Sequence, residues 1–215
     1  MSLLREHSHM DLKVQYTAET PIIWRGEYHF PMSKIDNLRD EVVGMGDSRR
    51  NKVPKTQETG DIYSTYFITD VFKRPEVTLL PVYKDIVSQV AIDMNFVDSD
   101  FSINYWCQVY DGSHESHMHF TAMSPYSFVH FIRPTEEKCF YFSGSDGSKL
   151  YPKQDPGDII VFPSMILHGV DASYGKTRVS IAGNILFSTV RTPCTNTGVK
   201  ITEIRSGLEF TELYW

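Results

Sequence analysis

From Phe101 onward the chain breaks into short segments rich in β-branched and aromatic residues, and no other feature limits the fold as strongly. The segments are Ile103–Tyr110, Tyr126–Arg133, Lys138–Ser143, Asp158–Phe162, Leu167–Val170, Arg178–Phe187 and Val199–Ile204. Turn chemistry separates them: Asp111-Gly112, Ser145-Asp146-Gly147, Asp155-Pro156-Gly157-Asp158 and Tyr174-Gly175. Short strands in this number pack as two antiparallel sheets, a jelly roll or sandwich.

The first third has a different texture. Thr20-Pro21-Ile22-Ile23-Trp24 reads as extended, because the residue before a proline is pushed toward β. Ser33 is a good N-cap, and Ile35, Leu38, Val42 and Met45 follow at helical spacing, with Gly44 and Gly46 to end the helix. The polar stretch from Asp47 to Asp61 reads as a loop. A second helix runs from Leu80 to Met94, with Pro81 in its first turn and Leu80, Tyr83, Val87, Val90 and Met94 on one face. These helices have only the strand-rich part to pack on. The expected fold class is α+β, mainly β: one domain over residues 1–215, a helical part over about 1–100 flanking a β core over about 101–210.

Composition removes several functions. With 21 basic against 27 acidic side chains, the formal charge is −6, and the basic clusters Arg49-Arg50-Asn51-Lys52 and Lys73-Arg74 are too short for a nucleic-acid groove. No run approaches the ~18 apolar residues of a membrane span. The three cysteines, Cys107, Cys139 and Cys194, are odd in number and far apart, which fits a reducing, cytoplasmic compartment better than a disulfide framework. A homodimer is the base expectation for assembly.

Eight histidines are present, and three crowd into Gly112-Ser113-His114-Glu115-Ser116-His117-Met118-His119. On a strand, His117 and His119 share a face and offer two imidazoles to one metal. His168, inside the apolar run Phe162-Pro163-Ser164-Met165-Ile166-Leu167-His168-Gly169-Val170, is the candidate third ligand. Imidazoles suit iron, zinc, copper and nickel. His7-Ser8-His9 shows that such pairs also arise on inert segments, and His130 reads as structural. Ten residues after His168 comes Arg178, and alternation places Ser180 and Asn184 on its face. A guanidinium turned inward needs a carboxylate, and a bidentate ligand carboxylate is a natural partner, with Ser180 adding a bond. Turned outward, the same arginine would pair with a surface acid.

These residues resemble the iron(II)- and 2-oxoglutarate-dependent oxygenases, more narrowly a prolyl-hydroxylase-like branch common in phages and marine bacteria. The resemblance rests on Thr20-Pro21-Ile22-Ile23-Trp24-Arg25-Gly26, Trp106-Cys107-Gln108, Tyr126-Ser127-Phe128-Val129-His130-Phe131-Ile132-Arg133-Pro134, Gly157-Asp158-Ile159-Ile160-Val161-Phe162-Pro163-Ser164 leading to His168, and Arg178-Val179-Ser180-Ile181-Ala182-Gly183-Asn184. It implies a double-stranded β-helix, jelly-roll and cupin-like, holding Fe(II) and 2-oxoglutarate as cosubstrate. His117 takes the place of the first metal ligand and His168 that of the distal one. Arg178 grips the far carboxylate of 2-oxoglutarate, beside Ser180. The implied reaction hydroxylates a small-molecule or peptide substrate and releases succinate and carbon dioxide.

The position two residues after the first ligand, where most of the superfamily has an acid, holds His119. His119 is preferred as ligand over Glu115 or His114, since Glu115 follows the Asp111-Gly112 turn and reads as loop. Gln108 is a candidate hydrogen-bond donor to the cosubstrate or a polar edge residue, Asn184 a buried amide in need of partners, and Tyr110 and Tyr126 pocket lining or core. The Ser143–Asp158 segment reads as a lid or a plain hairpin. Two other functions remain open: a three-histidine cupin-type dioxygenase without 2-oxoglutarate, and a non-catalytic jelly-roll binding protein. The first lacks the usual glutamate in Phe120-Thr121-Ala122-Met123-Ser124, and the second has no use for a carboxylate clamp.

Overall fold

The computed structural model describes residues 21–45, 61–68, 70–94, 99–111, 117–119, 124–171, 176–190 and 200–204. Elements appear in the order β1 (Trp24–Glu27), α1 (Met32–Gly44), β2 (Asp61–Ser64), α2 (Leu80–Asp93), β3 (Ser99–Asp111), β4 (His117–His119), β5 (Tyr126–Arg133), β6 (Phe140–Ser143), β7 (Lys149–Leu150), β8 (Asp158–Pro163), β9 (His168–Val170), β10 (Arg178–Val190) and β11 (Lys200–Ile204). Short 3-10 turns over 65–67, 71–73 and 75–79 lead from β2 into α2.

Among the described residues the strands form two sheets. The larger has the order β1-β8-β5-β10-β3-β11, with β2 also paired to β3, and the smaller the order β4-β9-β6-β7. All pairings are antiparallel except β11 with β3. The fold is therefore mainly β, with two helices among the described residues.

Alternation along the central strands sorts side chains into two cores. Phe128 and Ile132 of β5, with Ile159 and Val161 of β8, join Ile35, Leu38 and Val42 of α1 and Tyr83, Val87 and Val90 of α2 on the helix side. Val129 and Phe131 of β5, with Ile160 and Phe162 of β8, meet Phe140 and Phe142 of β6 and Val170 of β9 between the sheets. Each helix is tied to the sheet near one end: Trp24 Nε1 donates to Asp93 Oδ2 of α2 at 2.8 Å, and Arg133 pairs with Asp36 of α1 at 2.8 Å. Gly183 of β10 allows close approach, since a Cβ there would meet the Phe128 ring at 2.5 Å and the Asn104 carbonyl at 2.6 Å.

Several expectations are corrected. Helix α1 begins at Met32, with Pro31 in the cap position and no side-chain cap bond, so Ser33 lies in the first turn. The proline's extended ψ of 140° sets the entry without a hydroxyl. Met45 stands beyond the helix and is exposed, so the apolar stripe ends at Val42. Asp61 opens a strand, β2, and residues 46–60 of the expected loop lie outside the described residues. The Ser143–Asp158 segment contains a hairpin in which Gly147, at φ +80°, turns β6 into β7. No described helix is long and apolar enough to cross a membrane.

Candidate active site

The short strand β4 runs antiparallel to β9, with His119 directly opposite His168 and His117 opposite Val170. Residues paired across strands share a face, and a two-residue step returns to it, so the backbone register assigns positions 117, 119 and 168 to one face of the smaller sheet. The side chains of His117 and His119 lie outside the described residues, as do His114 and Glu115 altogether. Among the described residues no group of three His, Cys, Asp or Glu side chains gathers to hold a metal.

His168 is 5% exposed, its ring packed against Phe162 and Phe140 with centroids 4.8 and 5.8 Å away. Its Nδ1 lies 2.7 Å from the Ile166 carbonyl, which only accepts, so Nδ1 carries the proton and Nε2 the ring's lone pair. Burial pushes its pKa down, opposed by the Ile166 bond, and favours the neutral imidazole that ligates metals.

Arg178 begins β10 and is 5% exposed. Its Cζ stands 4.1 Å over the Tyr110 ring, its cross-strand partner, and Tyr110 belongs to the same intersheet cluster as Phe140, Phe162 and Val170. The arginine thus turns inward, toward the cluster on which His168 packs. Tyr110, which the sequence left between core and pocket, is the platform for the guanidinium.

From Arg178 a ladder of same-face pairs runs along β10 and β3: Arg178 with Tyr110, Ser180 with Gln108, Ala182 with Trp106, and Asn184 with Asn104. Ala182 and Gln108 are half-buried although they sit mid-sheet. Gln108 Oε1 accepts from the Tyr110 hydroxyl at 2.8 Å. Asn184 Oδ1 accepts from Ser127 Oγ at 2.8 Å, and with that proton spent, Ser164 Oγ donates to Ser127, also at 2.8 Å. Sequence reasoning did not single out Asn104. Trp106, Ser127 and Ser164 entered only within the stretches that carry the family resemblance, although period two from Gln108 places both Trp106 and Asn104 on the interior face.

His130 lies on the opposite, helix side. Tyr83 OH donates to its Nδ1 at 2.9 Å, and its Nε2 donates to the Tyr28 carbonyl at 2.8 Å. Burial holds its pKa down to about 4. It is a structural histidine. Cys107 and Cys139 are free and buried, and Cys194 lies outside the described residues.

No known family profile and no curated protein matches this sequence. Solved structures do. A prolyl-4-hydroxylase of Pseudomonas putida is 14% identical over 77% of this chain and 92% of its own, with a TM-score of 0.50. An oxidoreductase of the 2OG-Fe(II) oxygenase family from Burkholderia pseudomallei is 13% identical over 80% of this chain and 82% of its own, with a TM-score of 0.51. At such identities the likeness is one of fold. The chain has the fold seen in 2-oxoglutarate/iron(II) oxygenases, in agreement with the resemblance carried by its motifs.

Proposed function

We propose that this protein is an Fe(II)- and 2-oxoglutarate-dependent dioxygenase that hydroxylates its substrate, and that its sheets form a double-stranded β-helix. One observation carries the reading: His119 faces His168 across β4 and β9, while Arg178 is buried on the interior face of the other sheet. The donor set fits. A neutral imidazole with its lone pair at Nε2, in register with two more histidine positions, suits a ferrous ion. A buried guanidinium braced on an aromatic ring suits one end of a dicarboxylate. From β3 to β10 the chain crosses between the two sheets at every step except the β6–β7 hairpin, which supports a jelly roll.

In this reading His117, His119 and His168 hold the iron. Arg178 binds the distal carboxylate of 2-oxoglutarate, with Ser180 and Gln108 on the next rung. The bound iron and cosubstrate supply oxidation of a substrate C–H bond, with succinate and carbon dioxide as coproducts. The chain's own residues orient the cosubstrate, and the Phe140, Phe142 and Phe162 rings keep water from the far side of His168.

Anaerobic addition of Fe(II) and 2-oxoglutarate is expected to produce a weak visible absorption band, with succinate released in air. His168→Ala should abolish the band and Arg178→Met should weaken it. A band that survives both substitutions removes the proposal. Metal-dependent oxygen uptake that ignores 2-oxoglutarate would instead select the cupin-type reaction.

A further inference from the structure

The turn between β8 and β9 is anchored more firmly than a surface connection of its length requires. Pro163-Ser164-Met165-Ile166 closes with the Ile166 N–H donating to the Pro163 carbonyl at 3.0 Å. At its far end the Ile166 carbonyl accepts from His168 Nδ1 at 2.7 Å. Met165 is 73% exposed, as a turn residue normally is, yet its neighbour Ser164 is 0% exposed. Ser164 directs both of its donors outside the turn. Its backbone N–H donates to the Pro125 carbonyl at 3.1 Å, and its Oγ donates to Ser127 Oγ at 2.8 Å. Ser127 passes the chain of bonds on to Asn184 of β10. The turn is thus pinned to the large sheet at Ser164, two residues before the carbonyl that holds His168.

That carbonyl decides something the ring's aromatic neighbours do not. Phe162 and Phe140 pack on the imidazole with centroids 4.8 and 5.8 Å away, but their apolar rings do not distinguish its nitrogens from its carbons. A half-turn about the Cβ–Cγ bond would keep that packing and exchange each nitrogen for a carbon. The Ile166 carbonyl only accepts, so it selects the orientation with Nδ1 toward it and places the proton there. A flipped ring, or one with its proton on Nε2, would present a C–H or an N–H where the lone pair now stands. Hydrogen bonds weaken steeply once they leave line, so a carbonyl that swung with a loose turn would lose this control.

We infer that Ser164, braced by Ser127, is a positioning residue for His168: by pinning the turn it holds the Ile166 carbonyl where it keeps Nδ1 protonated and leaves Nε2 as the ligating nitrogen. The inference rests on the oxygenase reading for the metal that Nε2 binds, and on the geometry alone for the state of the ring.

Long-range proton–nitrogen NMR correlations of the metal-free, full-length protein read the tautomer, with signals assigned by their loss in His168→Gln and His130→Gln. His130 is the internal reference, because its Nδ1 accepts from Tyr83 and its Nε2 donates to Tyr28, the opposite tautomer on the helix side of the sheet. Wild-type His168 should carry its proton on Nδ1. Ser164→Ala should convert it to a mixture of both tautomers while His130 stays as it is. Ser127→Ala, which leaves the turn's own residues intact, should do the same and keeps the test valid if Ser164→Ala folds poorly. Anaerobic calorimetry should show Fe(II) affinity about tenfold weaker in either variant. The inference falls if wild-type His168 is protonated on Nε2, or if the variants keep the wild-type tautomer. It also falls if the His130 signals change together with those of His168, since the serines would then serve the fold in general, or if the tautomer changes while Fe(II) binds as tightly as to wild type. A wild-type protein that binds no Fe(II), with the tautomer change still seen in both variants, counts against the oxygenase reading and supports the role of Ser164.

Discussion

Two buried polar side chains, His130 and Asn104, lie on opposite faces of the large sheet and are used in opposite ways. On the helix side, His130 commits both ring nitrogens to protein atoms, one to Tyr83 and one to Tyr28. On the interior side, Asn104 is as deeply buried and commits neither amide atom. A buried polar group satisfied within the fold braces it, whereas one left unsatisfied costs stability until something else meets it. The difference sets His130 in the scaffold, and the interior face carries the proposed site. Burial alone does not distinguish them.

The largest expected effect is on the scaffold side. His130→Ala strands the Tyr83 hydroxyl and the Tyr28 carbonyl and opens a cavity among Tyr28, Phe30 and Tyr83. Denaturant unfolding should show a loss of about 3–5 kcal/mol. Cosubstrate affinity of the folded fraction should not change, and a parallel loss of affinity would erase the contrast between the faces.

The same residue predicts an acid limb. Its pKa lies at about 4 in the folded protein against 6.5 as the ordinary value, chiefly through burial. Between those values the unfolded chain binds more protons, so stability is complete above the ordinary value and declines as pH falls toward the folded one. The decline amounts to roughly 3 kcal/mol. Unfolding midpoints measured across that range should flatten in His130→Gln, and an unaltered slope would assign the acid sensitivity elsewhere.

On the interior face, Arg178→Met should weaken 2-oxoglutarate binding by about 100-fold, the equivalent of ~2.7 kcal/mol, while thermal stability changes little. Equilibrium titration measures it, and a loss below about tenfold would remove Arg178 from the clamp. The smallest effect is expected at Ser127→Ala, which cuts the chain of bonds from Ser164 through Ser127 to Asn184. A stability loss of about 1–2 kcal/mol in urea unfolding would place this chain with the satisfied groups, and no loss would place it with the orphaned ones.

Much of the strand layout is legible in the sequence, because turn residues bracket the segments and Tyr126–Arg133 coincides with β5. Strand β2 is not, since Asp61–Ser64 follows a polar stretch and gains its ladder only from β3. The faces are harder still. Strands β5 and β8 are buried almost throughout, helices covering one side and the second sheet the other. Such strands lose the apolar–polar alternation that would tell in from out. Period two therefore groups Arg178, Ser180 and Asn184 correctly without saying which core they face.

Local chemistry, in turn residues, proline positions and the order of histidines and arginine, determined that this chain forms antiparallel strands and carries the histidines and the arginine of the proposed site. Only the tertiary structure decided that His119 stands opposite His168, that Arg178 lies on Tyr110, and that the Asn104 amide and Trp106 Nε1 meet no hydrogen-bond partner among the described residues. Those facts depend on strand register and on which sheet covers which face. Contacts between residues far apart in the chain set both, and no local pattern encodes them.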